Sequence, residues 1–288
     1  MKLAVLSDIH GNLTALEAVL ADLEAVGGAD HLWILGDLAL MGARPAECVQ
    51  RVRTLVEASK PEKKEGEGEA PAADPAVADP APGEVATPKM RVRAISGNTD
   101  RYLVYGSGSS SKEPAADAEA YEKLRQRYKF TSQIIGWTSD RLSFDDYTFL
   151  AKLPGELDLH VPGYGYVIGY HAVPGDDEAY LKPDTLDSEA ADFLLDREGR
   201  LGIGGHIHQQ MDRHLTIGGW RVINDGSVGM SYERAGHAQW GLIVFDGGDA
   251  HVDLRNVPYD VDAALDDARA AEFPQADYLA RVYRDGKR

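Results

Sequence analysis

Ser7-Asp8-Ile9-His10-Gly11-Asn12 closes the first apolar run of the chain, Leu3 to Leu6. The run reads as a buried strand and Leu13 onward reads as a helix, so Asp8 and His10 stand at the junction. In an extended chain, residues two apart point to the same side. On that reading Asp8 and His10 reach one point while Ile9 faces the core. An acid and an imidazole aimed at one point suit a divalent metal ion. Acids and histidines at strand ends are also ordinary loop residues, so the rest of the chain has to supply the remaining ligands.

The composition narrows the setting. The chain has 288 residues, enough for one large domain or two small ones, and 43% hydrophobic residues, enough for a substantial core. A net charge of −17 argues against a protein that tracks long nucleic acids or sits on an anionic membrane. Phosphate binding stays open, because bound cations can invert the local field. Cys48 is the only cysteine, which excludes an internal disulfide and thiolate clusters. It shares an apolar face with Val49 and Val52 and is expected to be buried and inert. The first apolar run is too short for a signal peptide, and no run reaches membrane-spanning length. A cytoplasmic protein is expected; the oligomeric state is open.

Leu13, Leu16, Leu20 and Leu23 recur at helical spacing, with Asn12 or Thr14 as cap and Glu17 completing a Thr-x-x-Glu box. Gly27-Gly28 ends that helix. His31 to Leu35 reads as a strand, and Pro45 opens a helix bearing Cys48, Val49, Val52, Leu55 and Val56. The order β-α-β-α begins a layered α/β fold. Lys60 to Pro88 is built of Pro, Ala, Glu, Asp, Gly and Lys, which cannot offset ordering entropy by burial. It reads as a flexible, low-complexity surface insertion (60–88) in a single domain spanning 1–288, because the alternation resumes after it.

Met90 to Ile95 is the third strand, ending in Ser96-Gly97-Asn98-Thr99-Asp100; Gly106 to Ser111 reads as a Gly/Ser loop. Ala115 to Phe130 and Ile134 to Leu150 read as helices rich in aromatics. The region 101–153 is expected to form a helical, substrate-shaping cap. Glu156 to Val161 and Tyr164 to Tyr170 read as a hairpin ending at His171, and Ser188 to Leu195 as a helix. Leu201 to Gly204 is a strand ending in Gly205-His206-Ile207-His208. Trp220 to Ile223, Gly241 to Phe245 and His251 to Val257 are later strands, and Val261 to Ala271 and Ala276 to Tyr283 terminal helices.

Five apolar runs thus end in polar clusters: Asp8/His10, Asp37, Asn98/Asp100, His171 and His206/His208. In α/β sheets ligands gather beyond the carboxyl ends of strands. Gly36, Gly97 and Gly205 precede three of the clusters, where a glycine permits close backbone approach. His206-Ile207-His208 repeats the spacing of Asp8-Ile9-His10.

In this order, Asp8-x-His10, Gly36-Asp37, Gly97-Asn98, His171 and Gly205-His206-x-His208 resemble the calcineurin-like metallophosphoesterases. Trp137-Thr138 before a helix ending Leu153-Pro154, Asn224-Asp225-Gly226-Ser227-Val228-Gly229 and Val257-Pro258-Tyr259-Asp260 resemble their small prokaryotic phosphodiesterase branch. The resemblance spans nearly the whole chain except Lys60 to Pro88. It implies an α/β (α+β) fold: a four-layer α/β/β/α sandwich of two mixed sheets flanked by helices. It also implies a site for two divalent metal ions at one edge. Asp8, His10, Asp37 and His208 would hold one metal, and Asp37, Asn98, His171 and His206 the other, with Asp37 bridging. Such nitrogen and oxygen ligands suggest Mn, Fe, Zn, Co or Ni, with manganese the choice for assay.

The chemistry expected of such a pair is metal-assisted hydrolysis. Two cations about 4 Å apart clamp a phosphoryl group and activate a bridging hydroxide, so no protein nucleophile is required. Asp37, Asn98 and Asp100 are the expected catalytic positions, with Asp100 orienting the loop. Thr99 and Arg101 are the expected substrate contacts. Many relatives carry a His where Thr99 stands, and a threonine hydroxyl is no general acid near neutral pH. That deprives the leaving group of an aid worth about 10²–10⁴-fold. Ser7, Tyr180 and Lys182 are second-tier positions; His31, His160, His214, His237 and His251 read as structural or surface residues. The expected activity is hydrolysis of a small phosphodiester, cyclic nucleotides included. The rivals are a phosphoprotein phosphatase, a dinucleoside-polyphosphate hydrolase, and a catalytically weak interaction scaffold on the same fold.

Overall fold

The computed structural model describes residues 1–60, 90–106 and 114–287. The 60–88 insertion and the 106–111 loop read from the sequence fall almost wholly outside these residues. Two five-stranded sheets form the centre. In the first, β1 (Lys2–Leu6) lies between β2 (His31–Ile34) and β9 (His237–Asp246), in the order β10-β9-β1-β2-β3, with β3 at Arg91–Ala94 and β10 at Asp249–Pro258. In the second, β4 (Glu156–Val161), β5 (Gly165–Tyr170), β6 (Leu201–Gly204), β8 (Arg221–Asp225) and β7 (Gln210–His214) follow in that spatial order. Both are mixed: β1, β2 and β3 run parallel, as do β5, β6 and β8, with antiparallel strands outside them.

The pleat sorts β1 into two cores. Leu3 and Val5 pack between the sheets with Trp33, Val167, Ile203 and Ile223, while Ala4 and Leu6 face the helices. Burial on both faces explains why the strand is a continuous apolar run. Helices α1 (Leu13–Ala25), α2 (Pro45–Ala58), α7 (Val261–Ala270) and α8 (Ala276–Asp285) cover the first sheet. Over the second, the short α6 (Asp187–Asp192) sets Ala190 and Ala191 against Ile168, Tyr170 and Val222. The four-layer sandwich is therefore present, with unequal outer layers. No helix among the described residues is long and apolar enough to cross a membrane.

Several local expectations need correction. The Thr14/Glu17 box does not form: Asn12 caps α1 through Ala15 N, and Glu17 pairs with Arg51 instead. Asn98–Tyr105 is a helix, α3, whose first turn takes in Asn98 to Asp100, expected as the end of a loop; Asp100 accepts from Gly97 N to cap it. α4 (Ala118–Ser139) runs through the expected break at 131–133, and the chain turns later, where Ser143 and Asp146 cap α5 (Phe144–Ala151) reciprocally. β7 was missed because it is an edge strand with Met211 as its one buried residue. Two aromatics of α4 pack against the C-terminal segment, Trp137 meeting Phe273 edge-on at 4.9 Å and Phe130 meeting Tyr278 at 5.3 Å, while Tyr121 and Tyr128 are exposed. Within 101–153, residues of α3 and α5 do wall the cleft described next.

Candidate metal centre

The parallel strands deliver their carboxyl ends to one rim, and five of the residues there leave their strands with left-handed backbone. Asp8 has φ 55°, His10 48°, Asp37 57°, His206 68° and His208 56°. Non-glycine residues adopt this region rarely and at a cost. The extended-chain reading of Asp8 and His10 is thus replaced: a tight left-handed turn, not strand pleat, brings them together. Backbone bonds hold it, from Asp8 N to Gly36 O (3.0 Å) and from His10 N to Asp37 O (2.9 Å). Ile9 and Ile207 are buried, as the spacing predicts. Two glycines make the approach possible. A Cβ on Gly97 would lie 2.2 Å from Asp37 Oδ1, and one on Gly205 would lie 2.4 Å from Asp8 Oδ2.

Three imidazoles are set in the same way. His10, His171 and His208 each give Nδ1 to a backbone carbonyl, of Leu40, Leu35 and Met230 respectively, at 2.8 Å. A donated Nδ1–H leaves the Nε2 lone pair facing inward. His10 Nε2 and His208 Nε2 then face each other at 3.1 Å, and Asp8 Oδ1, 3.2 Å from His208 Nε2, has no hydrogen-bond partner although buried. Neutral imidazoles so turned have no proton to share, and lone pairs crowded on a buried carboxylate oxygen are what a divalent cation satisfies. Asp37 Oδ2 lies 3.6 Å from His10 Nε2 and 3.5 Å from His171 Nε2. Asn98 Oδ1 lies 3.0 Å from His171 Nε2 and 3.1 Å from His206 Nδ1. Two metal-capable groups, Asp8-His10-His208 and Asp8-Asp37-His171, abut. Among the described residues, none of His31, His160, His214, His237 and His251 joins such a group.

The charges agree with this crowding. Burial works to raise the Asp8 carboxyl, but His208 and His171 outweigh it and hold it at about 2. The same contest, with His171 and His10 prevailing over burial, holds Asp37 well below the carboxylate range. Burial disfavours the cationic form of His171, yet Asp37 and Asp8 carry it up to about 10. Burial lowers His10, and burial with the charge of His171 lowers His206 to about 4. The carboxylates thus draw positive charge onto the cluster, a proton on His171 Nε2 that a divalent cation would displace.

The remaining expected positions lie around the ligand cluster. Asp100 points into the loop: its oxygens accept from the backbone N–H of Asp37, Leu38 and Gly97 at 2.8 to 3.0 Å. Burial and Asp37 push its carboxyl up to about 7 against those bonds. Thr99 N donates to Asp37 Oδ1 at 2.9 Å, while its hydroxyl is buried without a partner. Arg101 is engaged by Asp177 and Glu178 at 2.7 to 2.8 Å. Tyr180, 54% exposed, lies 5.1 Å from the His206 ring, with Lys182 over its face. A cleft of about 480 Å³ opens beside His171, walled by Arg101, Tyr105, Leu150, Asp176 and Asp177. Sequence reasoning missed Asp177 and Glu178, which carry no motif of their own, and the three carbonyls that orient the histidines.

Residues 1–210 match the family model of the calcineurin-like phosphoesterases. The chain belongs to this family. It is therefore a phosphoester hydrolase by family, as the motif order implied, and candidate ligands for a dinuclear divalent centre are in place. This calcineurin-like phosphoesterase is 26% identical over 288 residues to an uncharacterized protein of Methanocaldococcus jannaschii, covering 95% of this chain and 94% of the other. A crystal structure of a metallophosphoesterase from Sphaerobacter thermophilus aligns with TM-score 0.63 and 21% identity, over 100% of this chain and 99% of that one. A hypothetical protein from Pyrococcus horikoshii aligns with TM-score 0.72 and 20% identity, again over 100% and 99%. Both share the fold of this phosphoesterase.

Proposed function

We propose that this phosphoesterase hydrolyses a small phosphodiester at a two-metal centre. One ion would be held by Asp8, His10, His208 and Asp37, and the other by Asp37, Asn98, His171 and His206. The observation that carries the reading is the seat of Asp37 Oδ2, nearly equidistant from His10 Nε2 and His171 Nε2 at 3.6 and 3.5 Å. A single carboxylate oxygen between two sets of inward lone pairs suits a bridge between two cations. When bound, the ions supply Lewis acidity toward the phosphoryl oxygens and lower the pKa of water at the site.

The chain's own residues supply position. The carbonyls of Leu40, Leu35 and Met230 fix the histidine tautomers, Thr99 N fixes Asp37, and Asp100 ties the turn that carries Asp37 to the start of α3, where Asn98 stands. A cleft of about 480 Å³ has room for a nucleoside-sized group. Its carboxylates, Glu156, Asp176 and Asp177, outnumber Arg101 on the same wall. That balance disfavours a polyanion such as a dinucleoside polyphosphate and favours a diester with one negative charge, a cyclic nucleotide among them.

Manganese is the ion to test first. Protein loaded with Mn²⁺ is expected to bind two ions per chain and to hydrolyse bis-p-nitrophenyl phosphate faster than p-nitrophenyl phosphate. Binding of one ion or none would refute the centre. A monoester preference would refute the diesterase assignment alone.

A further inference from the structure

Asn224-Asp225-Gly226-Ser227-Val228-Gly229 contributes no ligand to the centre, yet it lies directly beneath it. β8 ends at Asp225, in the opposite sheet from the β1 strand that carries Asp8. The segment grips Ser7 and Asp8 by their backbones: Val228 N donates to Ser7 O at 3.0 Å, Gly229 N to Asp8 O at 2.9 Å, and Ser227 Oγ to Asp8 O at 3.0 Å. Asn224 Nδ2 reaches across to Gly205 O, beside His206.

The side-chain contacts are more telling. Ser7 Oγ lies 2.5 Å from Asp8 Oδ2 and 3.0 Å from Asp225 Oδ1, and all three residues are fully buried. A hydroxyl has one proton to give. The shorter contact takes it to Asp8, whose Oδ2 also receives His206 N at 2.8 Å. The contact between Ser7 and Asp225 then needs a proton from the Asp225 side. The other Asp225 oxygen is sealed from water without a partner, which a carboxylate tolerates far worse than an un-ionised acid.

We propose that Asp225 is a positioning residue: as the un-ionised acid it donates to Ser7 Oγ, so that Ser7 donates to Asp8 Oδ2 and leaves Asp8 Oδ1 turned to the metal. No proton moves in this arrangement. It is a fixed chain of donors, Asp225 to Ser7 to Asp8, joining the two sheets under one ligand. Burial and the negative charge of Asp8 independently push the Asp225 carboxyl well above its usual range. The inference rests on the two-metal reading of Asp8.

The test is Mn²⁺ binding by calorimetry to wild type, S7A, D225A and D225N, with circular dichroism of each metal-free protein. Residues that orient a ligand typically cost about 10–100-fold in metal affinity when removed. S7A and D225A are expected to lose about that much affinity at one of the two sites. D225N, whose amide N–H can replace the acid O–H, is expected to stay within about threefold on the same scale. Infrared difference spectra of wild type against D225N should show loss of one carbonyl band of an un-ionised carboxylic acid. Wild-type affinity in S7A, a D225N as weak as D225A, or no such band would each overturn the proposal. If D225A does not fold, S7A, D225N and the spectrum decide. Failure of wild type to bind Mn²⁺ would instead refute the two-metal reading itself.

Discussion

Asp37 is the residue on which most of the centre depends, and its surroundings leave no slack. Thr99 N holds one oxygen at 2.9 Å while the other faces two histidines. Gly97→Ala would drive a Cβ to within 2.2 Å of Asp37 Oδ1 and 2.6 Å of its nitrogen. G97A is expected to cost about 1–3 kcal/mol of stability from overpacking and to lower Mn²⁺ affinity at least about tenfold. Calorimetric metal titration beside thermal melts reads both; unchanged affinity would show that Asp37 need not be fixed. Thr99 bears on the rate. Its hydroxyl is buried and offers no proton to a departing alkoxide. Rates for diesters of graded leaving-group pKa are expected to fall steeply as that pKa rises, and a flat dependence would reveal an acid elsewhere.

At the scale of elements, one tie can be tested through pH. Asp22 on α1 accepts from Trp240 Nε1 on β9 at 3.0 Å and from Arg255 on β10 at 2.8 and 3.0 Å. Those bonds lower the Asp22 pKa, the Arg255 contact most. A depressed folded-state pKa adds stability that is present above the unfolded value, about 3.9, and fades as pH falls through the folded one. D22N is therefore expected to cost about 1–2 kcal/mol near pH 7, with the deficit shrinking in acid. Urea melts at several pH values would check this, and a deficit independent of pH would point to packing instead. The element scale is also where sequence reading succeeded and failed most clearly. β1 and β2 were legible because burial on both faces writes an unbroken apolar run. α3 was not, because Asn98, Thr99 and Asp100 serve the site and the helix start at once, and a polar helical turn looks like loop. The candidate ligands were legible because each follows a strand end. Their left-handed backbone was not, since nothing in the identities of Asp8 or His208 announces a positive φ.

For the whole molecule, bound ions enter the stability balance by mass action. Ligand at about 100 times its Kd adds about 2.7 kcal/mol. Mn²⁺ is accordingly expected to raise the melting temperature, and a chelator to reverse the gain; a melt indifferent to both would speak against a folded-state metal site. The layered α/β character was legible in strand order and patterning, whereas the pairing of two sheets into a sandwich came only with the family resemblance. The thin cover of α6 over the second sheet was not legible, because that outer face is finished by irregular segments such as those bearing Val173 and Leu181.

The two sheets contribute unequally placed halves of the centre: Asp8, His10, Asp37 and Asn98 follow strands of one, and His171, His206 and His208 follow strands of the other. Cations seated there would act as rivets through one lip of a clamshell whose body is closed only by greasy contact between leaves. Chelation should loosen that lip first, so amide exchange after metal removal is expected to quicken at residues 7–12, 36–40 and 205–209 while the far rim keeps its protection.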